Sequence, residues 1–180
     1  MHLPAFLQAI LLAMNYLETN LATIAQVAQE REDENWRFRS YLKGKDGEKI
    51  DARVHRLNSE ISAKIDCTTC GNCCKTFMIS VEPEELEPLA AHLLKPLAEV
   101  KENYIEQSSE GDFIVNKIPC HFLSENKCTV YDLRFSTCRD FPHLHKDGFT
   151  QRLLSVIQNY QICPIVFNVY EALKKEMDFK

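Results

Sequence analysis

Apolar residues at Leu3, Leu7, Ile10, Met14, Leu17, Leu21, Ile24 and Ala28 recur at alternating spacings of four and three. This is the seam of a helix that packs lengthwise on another helix. A second stripe, Ile50, Val54, Leu57, Ile61 and Ile65, begins just after Gly44-Lys45-Asp46-Gly47, which has turn chemistry, and should run almost into Cys67. Together the stripes predict an N-terminal helical hairpin over 1–66. The alternative is a coiled coil with another chain, which makes the heptad helix a surface for a protein partner. Between the stripes, Arg31, Arg37, Arg39, Lys43 and Lys45 are interleaved with Glu30, Glu32, Asp33, Glu34 and Asp46, the composition of a solvated helix face. Trp36, Phe38 and Tyr41 read there as core or helix-packing residues.

Further along, Glu82-Pro83-Glu84-Glu85 has the character of a helix start, with proline in the first turn and acids complementing the dipole. Leu86, Leu89, Ala90, Leu93, Leu94 and Leu97 supply its apolar face, while Pro88 and Pro96 limit its regularity. Phe113, Val115 and Ile118 alternate toward Pro119-Cys120, and residues 129–133 repeat the pattern, so two short strands are expected near the downstream cysteines. The chain closes with an amphipathic helix over 165–177, preceded by Pro164 where a first-turn proline is tolerated. The fold class is mainly α (α+β). It comprises the helical hairpin, a small irregular cysteine-rich core with short strands at 67–164, and a C-terminal helix at 165–180 packed on that core.

With 180 residues, 45% hydrophobic and 26% charged, a core can form without disulfides. The net charge of −5 argues against a nucleic-acid surface, which needs lysine and arginine in excess. Residues 1–14 are apolar, but no Lys or Arg precedes the run and Gln8 interrupts it, so neither an export signal nor a membrane span is expected. The predicted location is the reducing cytoplasm. There, clustered cysteines serve metal or redox chemistry rather than structural disulfides.

Eight cysteines carry the candidate chemistry. Cys67, Cys70, Cys73 and Cys74 form a CxxCGxCC run, and Cys120, Cys128, Cys138 and Cys163 follow. A tight turn can present several sulfurs near one point, Gly71 lets the backbone turn inside it, and distant cysteines can close the coordination sphere. All eight are candidate metal ligands. The double CxxC of Cys67, Cys70 and Cys73 with the remote Cys163-Pro164 favours an iron–sulfur cluster or iron. Zinc is the close alternative, although the downstream half lacks a second CxxC knuckle. Adjacent side chains diverge, so Cys73 and Cys74 are expected to serve different sites, or only one of them to ligate. His121, His143 and His145 are lesser candidates, and Arg139 and Asp140 could orient thiolates from behind. No catalytic residue stands out. Five glycines at 44, 47, 71, 111 and 148 cannot compose a GxGxxG dinucleotide turn.

The run Cys67-Thr68-Thr69-Cys70-Gly71-Asn72-Cys73-Cys74, followed by Pro119-Cys120-His121-Phe122-Leu123, Cys128-Thr129-Val130-Tyr131, Arg134, Cys138-Arg139-Asp140-Phe141-Pro142 and Cys163-Pro164, resembles a known family. It is the CxxCxxCC zinc- or iron-chelating domain family, also called YkgJ-like cysteine cluster proteins. The likeness takes in all eight cysteines in order and leaves the N-terminal helices and the C-terminal tail outside. It departs at Arg134-Phe135, where the family tends to carry Arg-Pro. The resemblance implies metal binding, with zinc and iron both proposed and iron–sulfur oxidoreductase a frequent label. A more distant similarity to flagellin lysine methylase implies a third reading, a metal-dependent protein-modifying enzyme. Against it, closed all-sulfur sites lack a vacancy for substrate.

Overall fold

Asn20 fixes where the first described helix starts. Its side chain accepts hydrogen bonds from the backbone of Ala22 at 2.9 Å and Thr23 at 3.2 Å, capping α1 (Leu21–Glu30). The computed structural model describes residues 17–180, so Leu3, Leu7, Ile10 and Met14 of the seam lie outside the described residues. Leu17 precedes the cap, which ends the seam's continuity there. The described residues form a mainly α structure with a few short strands. They divide into a helical unit, which runs to Ile65 and resumes at Leu144–Lys180, and a cysteine unit, Asp66–His143.

In the helical unit, α2 (Glu32–Lys43) and α3 (Gly47–Ser62) flank the glycine-containing turn, with Asp46 accepting from the Lys49 amide at 3.3 Å. The turn therefore joins the charged segment to the second stripe, which corrects the expected pairing of the two apolar stripes. The charged segment is itself a helix with a buried side, Asn35, Phe38 and Leu42, while Trp36 stays 39% exposed beside the Arg39 guanidinium. Ile50, Val54, Leu57 and Ile61 of α3 are buried, and α3 packs chiefly on α9 (Pro164–Glu176).

Helix α9 is the centre of this unit rather than a two-faced helix at its edge. All seven residues from Pro164 through Tyr170 are buried, together with Leu173 and Lys174. Asn168 of α9 ties residue 18 down, accepting from the Glu18 amide at 2.9 Å and donating to its carbonyl at 2.8 Å. Lys174 is buried between Glu34 and Glu171, each at 2.8 Å, and Glu171 also accepts from the Tyr160 hydroxyl and pairs with Arg31. A further helix, α8 (Leu153–Tyr160), packs on α9 and was not foreseen from the apolar pattern. Buried Asp51 on α3 accepts from the amides of Gly148 at 2.7 Å and Phe149 at 2.8 Å, which fixes the turn leading to α8.

The cysteine unit is assembled from short pieces: α4 (Asn72–Thr76), β1 (Ser80–Val81), α5 (Leu86–Leu93), α6 (Leu97–Tyr104), β2 (Ile105–Gln107), β3 (Phe113–Val115), β4 (Leu123–Ser124), β5 (Lys127–Cys128) and α7 (Ser136–Asp140). Strand β3 lies between β1 and β2, antiparallel to both, with Ser80 opposite Ile114 and Ile105 opposite Val115. Its core holds Ile79, Val81, Leu86, Leu89, Val115, Phe122 and Phe135, and Cys120, Cys128 and Cys138 pack against it. The segment 129–133, where a strand was expected, instead follows β5 and ends in a 3-10 turn over Tyr131–Leu133. The partner of β5, β4, is reached through Glu125 and Asn126, both at positive φ, as a two-residue hairpin turn demands. Among the described residues no helix is long and apolar enough to cross a membrane.

Candidate metal centre

Asp66 starts the site. Its carboxylate accepts from the Thr68 amide at 2.8 Å and the Thr68 hydroxyl at 2.6 Å, closing a 3-10 turn over Cys67–Thr69. These two bonds hold the Asp66 carboxyl below its ordinary range. Gly71 then takes φ +61 and leads into α4, which carries Cys73 and Cys74. A Cβ on Gly71 would stand 2.8 Å from the Asn126 carbonyl oxygen and 3.1 Å from Leu123 Cδ1. This glycine is needed twice over, for its backbone angle and for the close approach of the β4–β5 hairpin that delivers Cys128.

Backbone and side-chain ties bring in the remaining segments. The Cys120 amide donates to the Cys74 carbonyl at 2.9 Å. Lys75 donates to the Asn126 side chain, and the 3-10 turn packs on β5. Cys138 rides on α7, whose first amide, Ser136, donates to Glu85 Oε1 at 2.6 Å, while Thr137 donates to the Ser80 carbonyl at 3.1 Å. Phe135 stands where the resembled family tends to have proline. It keeps φ −54, the value proline would impose, and buries its ring near Phe122.

Seven thiols thus share one unit: Cys67, Cys70, Cys73, Cys74, Cys120, Cys128 and Cys138. The sulfurs of Cys73 and Cys74 lie 4.0 Å apart in hydrogen-bonding contact, closer than the expected divergence of adjacent side chains. Cys163 is in the helical unit, where it is buried and its carbonyl accepts the Phe167 amide at 2.9 Å at the start of α9. Among the described residues no three His, Cys, Asp or Glu side chains already stand in a metal-holding arrangement.

The electrostatics show how closely the seven thiols interact. The Cys74 thiol, bonded to Cys73, pulls the Cys73 thiol down to about 7, and the same bond, with burial and the charges of Cys73, Cys120 and Cys138, pushes Cys74 up. Burial and then the charges of Cys73 and Cys70 raise Cys67. Burial likewise raises Cys120, which is repelled by Cys128 and then by Cys73, and raises Cys128, which is repelled by Cys73. Cys138 is pushed up to about 12 by burial and then by Cys73, Cys120 and Cys128. The Arg134 guanidinium opposes the rise at Cys67, Cys128 and Cys138 and helps lower Cys73. It is held by its Nε–H bond to the Tyr131 carbonyl at 3.0 Å and by stacking 3.6 Å over the Tyr131 ring. Apart from exposed Cys67 these thiols are half-buried, and half-buried thiols that repel one another as thiolates are suited to soft divalent cations, which displace their protons and neutralise their charge.

The other sequence candidates are occupied differently. His121 bonds to Asn116 Oδ1 at 2.6 Å and packs edge-on against Tyr104. Arg139 pairs with Glu85 and donates to the Arg134 carbonyl, so it supports the loop that carries Arg134. His145 belongs to the helical unit. Glu85, the anchor of α7, was missed as a site residue, because its helix-start context already accounted for its acidity.

The family model described as "CxxCxxCC: Putative zinc- or iron-chelating domain" matches residues 66–164, more than half of the chain. No curated protein and no solved structure matches it. With its cysteine run, thiol-lined unit and Arg134 loop all inside the matched segment, the chain belongs to the CxxCxxCC family of zinc- or iron-chelating domains.

Proposed function

We propose that this chain is a metal-binding protein whose thiols ligate zinc or iron ions directly, within the Asp66–His143 unit. The observation that carries the reading is the 4.0 Å separation of the Cys73 and Cys74 sulfurs. Around a tetrahedral ion with metal–sulfur bonds of about 2.3 Å, neighbouring sulfurs stand about 3.8 Å apart. The pair is therefore a few tenths of an ångström from sharing one ion. In an iron–sulfur cube each cysteine serves a different iron, so an adjacent pair this close would leave one sulfur unused. Four cysteines satisfy such a cube, and the unit has seven thiols.

Bound zinc would cross-link the short segments of the unit, and bound iron would add a one-electron couple. The chain's own residues do the rest: Asp66, Gly71 and Glu85 set the segments in place, the apolar core behind Cys120, Cys128 and Cys138 limits water, and Arg134 offsets thiolate charge. The redox reading, an iron–sulfur cluster, draws support from the CxxCxxC spacing of Cys67, Cys70 and Cys73. Elemental analysis with an absorption spectrum, on protein purified without oxygen and without a metal-affinity tag, separates the two. Zinc or iron free of acid-labile sulfide supports direct ligation, iron with sulfide replaces it by the cluster, and metal-free protein overturns both.

A further inference from the structure

We infer that residues 1–16 of this chain dock into a groove of its own helical unit, between α1, α3 and α9. The inference is independent of the metal reading. A cavity of about 610 Å³ opens there, and Leu17, Val27, Leu57, Ile61, Phe167 and Phe179 give it an apolar lining. All six belong to the helical unit.

The path of the chain points to this occupant. Leu17 is itself part of the lining, and the next residue, Glu18, is fastened to α9 through both of its backbone groups by Asn168, at 2.9 and 2.8 Å. Whatever precedes Leu17 therefore starts from the groove. Residues 17–20 are in neither helix nor strand before Asn20 caps α1. The six residues between Met14 and Leu21 are enough to turn the chain back alongside α1, as connections between neighbouring helices commonly need two to about eight. At helical rise the twelve residues from Leu3 to Met14 would span about 18 Å, against about 15 Å for the ten of α1, so Leu3, Leu7, Ile10 and Met14 can meet the apolar lining along its length.

Charge favours the same occupant. Residues 1–16 contain no Asp, Glu, Lys or Arg. The groove is lined by four acidic and four basic side chains, and several are already paired: Arg31 with Glu171, Lys174 with Glu34 and Glu171, and Glu60 with Arg56. A lining neutral in sum takes an uncharged apolar segment without burying an unpaired charge. An anionic partner would find no excess of cations there.

Photo-crosslinking in the full chain tests the docking. Leu7→p-benzoylphenylalanine is irradiated in an equal mixture of isotopically light and heavy chains, and the linked peptides are sequenced by mass spectrometry. The expected links lie within one chain and join residue 7 to α1, α3 or α9. Links between light and heavy chains would assign the groove to a second copy, and links elsewhere in the chain, or none, would also overturn the inference. Hydrogen exchange on the unaltered chain keeps the test open if the probe disturbs folding. Amides of residues 5–14 should exchange at least about tenfold more slowly than in the free 1–16 peptide. Leu7→Asp should abolish that protection and Gln8→Asp should retain it. Exchange at the peptide's rate, or slowing only after phosphatidylcholine vesicles are added, overturns docking, the latter in favour of a lipid surface.

Discussion

Replacing Gly71 with alanine should disable the metal centre without touching a sulfur. Alanine held at φ +61 costs about 1–2 kcal/mol in the left-handed region. Its Cβ would also meet Asn126 backbone atoms at 2.8 and 3.0 Å, and no rotamer change relieves a backbone contact. The hairpin must move instead, at about 1–3 kcal/mol by analogy with overpacked cores. The combined penalty, about 2–5 kcal/mol, falls on the junction between the CxxCGxCC run and β5. If about 3 kcal/mol of it is charged to closing the site, affinity falls roughly a hundredfold. Competition against a chelator of known affinity measures this, with melting of the stripped protein recorded alongside. Gly44→Ala is the control, because its Cβ meets only the Tyr41 carbonyl oxygen at 3.7 Å, and it should change stability by less than about 0.5 kcal/mol. A Gly71→Ala protein that binds metal and melts like the parent would refute the reasoning.

Lys174→Met should destabilise the helical unit by about 3–5 kcal/mol, because two carboxylates beside a buried position lose their cation; a denaturation midpoint unmoved from the parent would contradict it. Burial opposes ionisation at Glu34, but Lys174, Arg31 and Arg37 outweigh it, so its carboxyl lies below the ordinary 4.5. This contribution to stability is complete above that ordinary value and is lost as pH falls through the lower folded value, so melting curves in acid should converge for parent and Lys174→Met. Asp51→Ala leaves the Gly148 and Phe149 amides without their acceptor and should cost about 1–3 kcal/mol, with Asp51→Asn recovering part by retaining one acceptor oxygen, read from urea midpoints. Because Cys138 is held up near 12, the proposed direct ligation would require it to release a proton at neutral pH, so metal affinity should weaken as pH falls; a pH-independent chelator competition would refute this.

The fold was legible where one period dominated. Ile50, Val54, Leu57 and Ile61 mark α3 because each faces the same buried side, and Pro164 marks the first turn of α9 because proline is tolerated there. Helix α1 was misjudged because Asn20 has no effect on apolar spacing, yet its side chain caps the helix and ends the seam. The charged segment concealed α2 because only Asn35, Phe38 and Leu42 face inward among many ions. Glu125 hid the β4–β5 turn, since glutamate is an unusual choice at positive φ and Asn126 alone is a weak signal. For the site, cysteine order identified the family and the candidate sulfurs. It could not reveal that Cys163 lies in a different unit from the other seven, nor that Gly71 and Asn126 approach closely, because those facts depend on contacts between segments far apart in the chain.

The brevity of the elements in the cysteine unit explains why its thiols and its stability are one problem. Strands of two or three residues and helices of five to eight residues supply few ladder or helical bonds of their own, so the unit depends on its apolar core and on ties between segments. Three of the seven thiols pack against that core, and burial is the largest influence raising each of them. Ionising them without a cation would set half-buried negative charges against one another, with the Arg134 guanidinium as a compensating positive charge. Protonated, they merely fill space. The direct ligation proposed above would let the same half-buried side chains ionise, and the free energy of binding would then enter the unit as cross-links between segments that otherwise meet through the apolar core and a handful of hydrogen bonds.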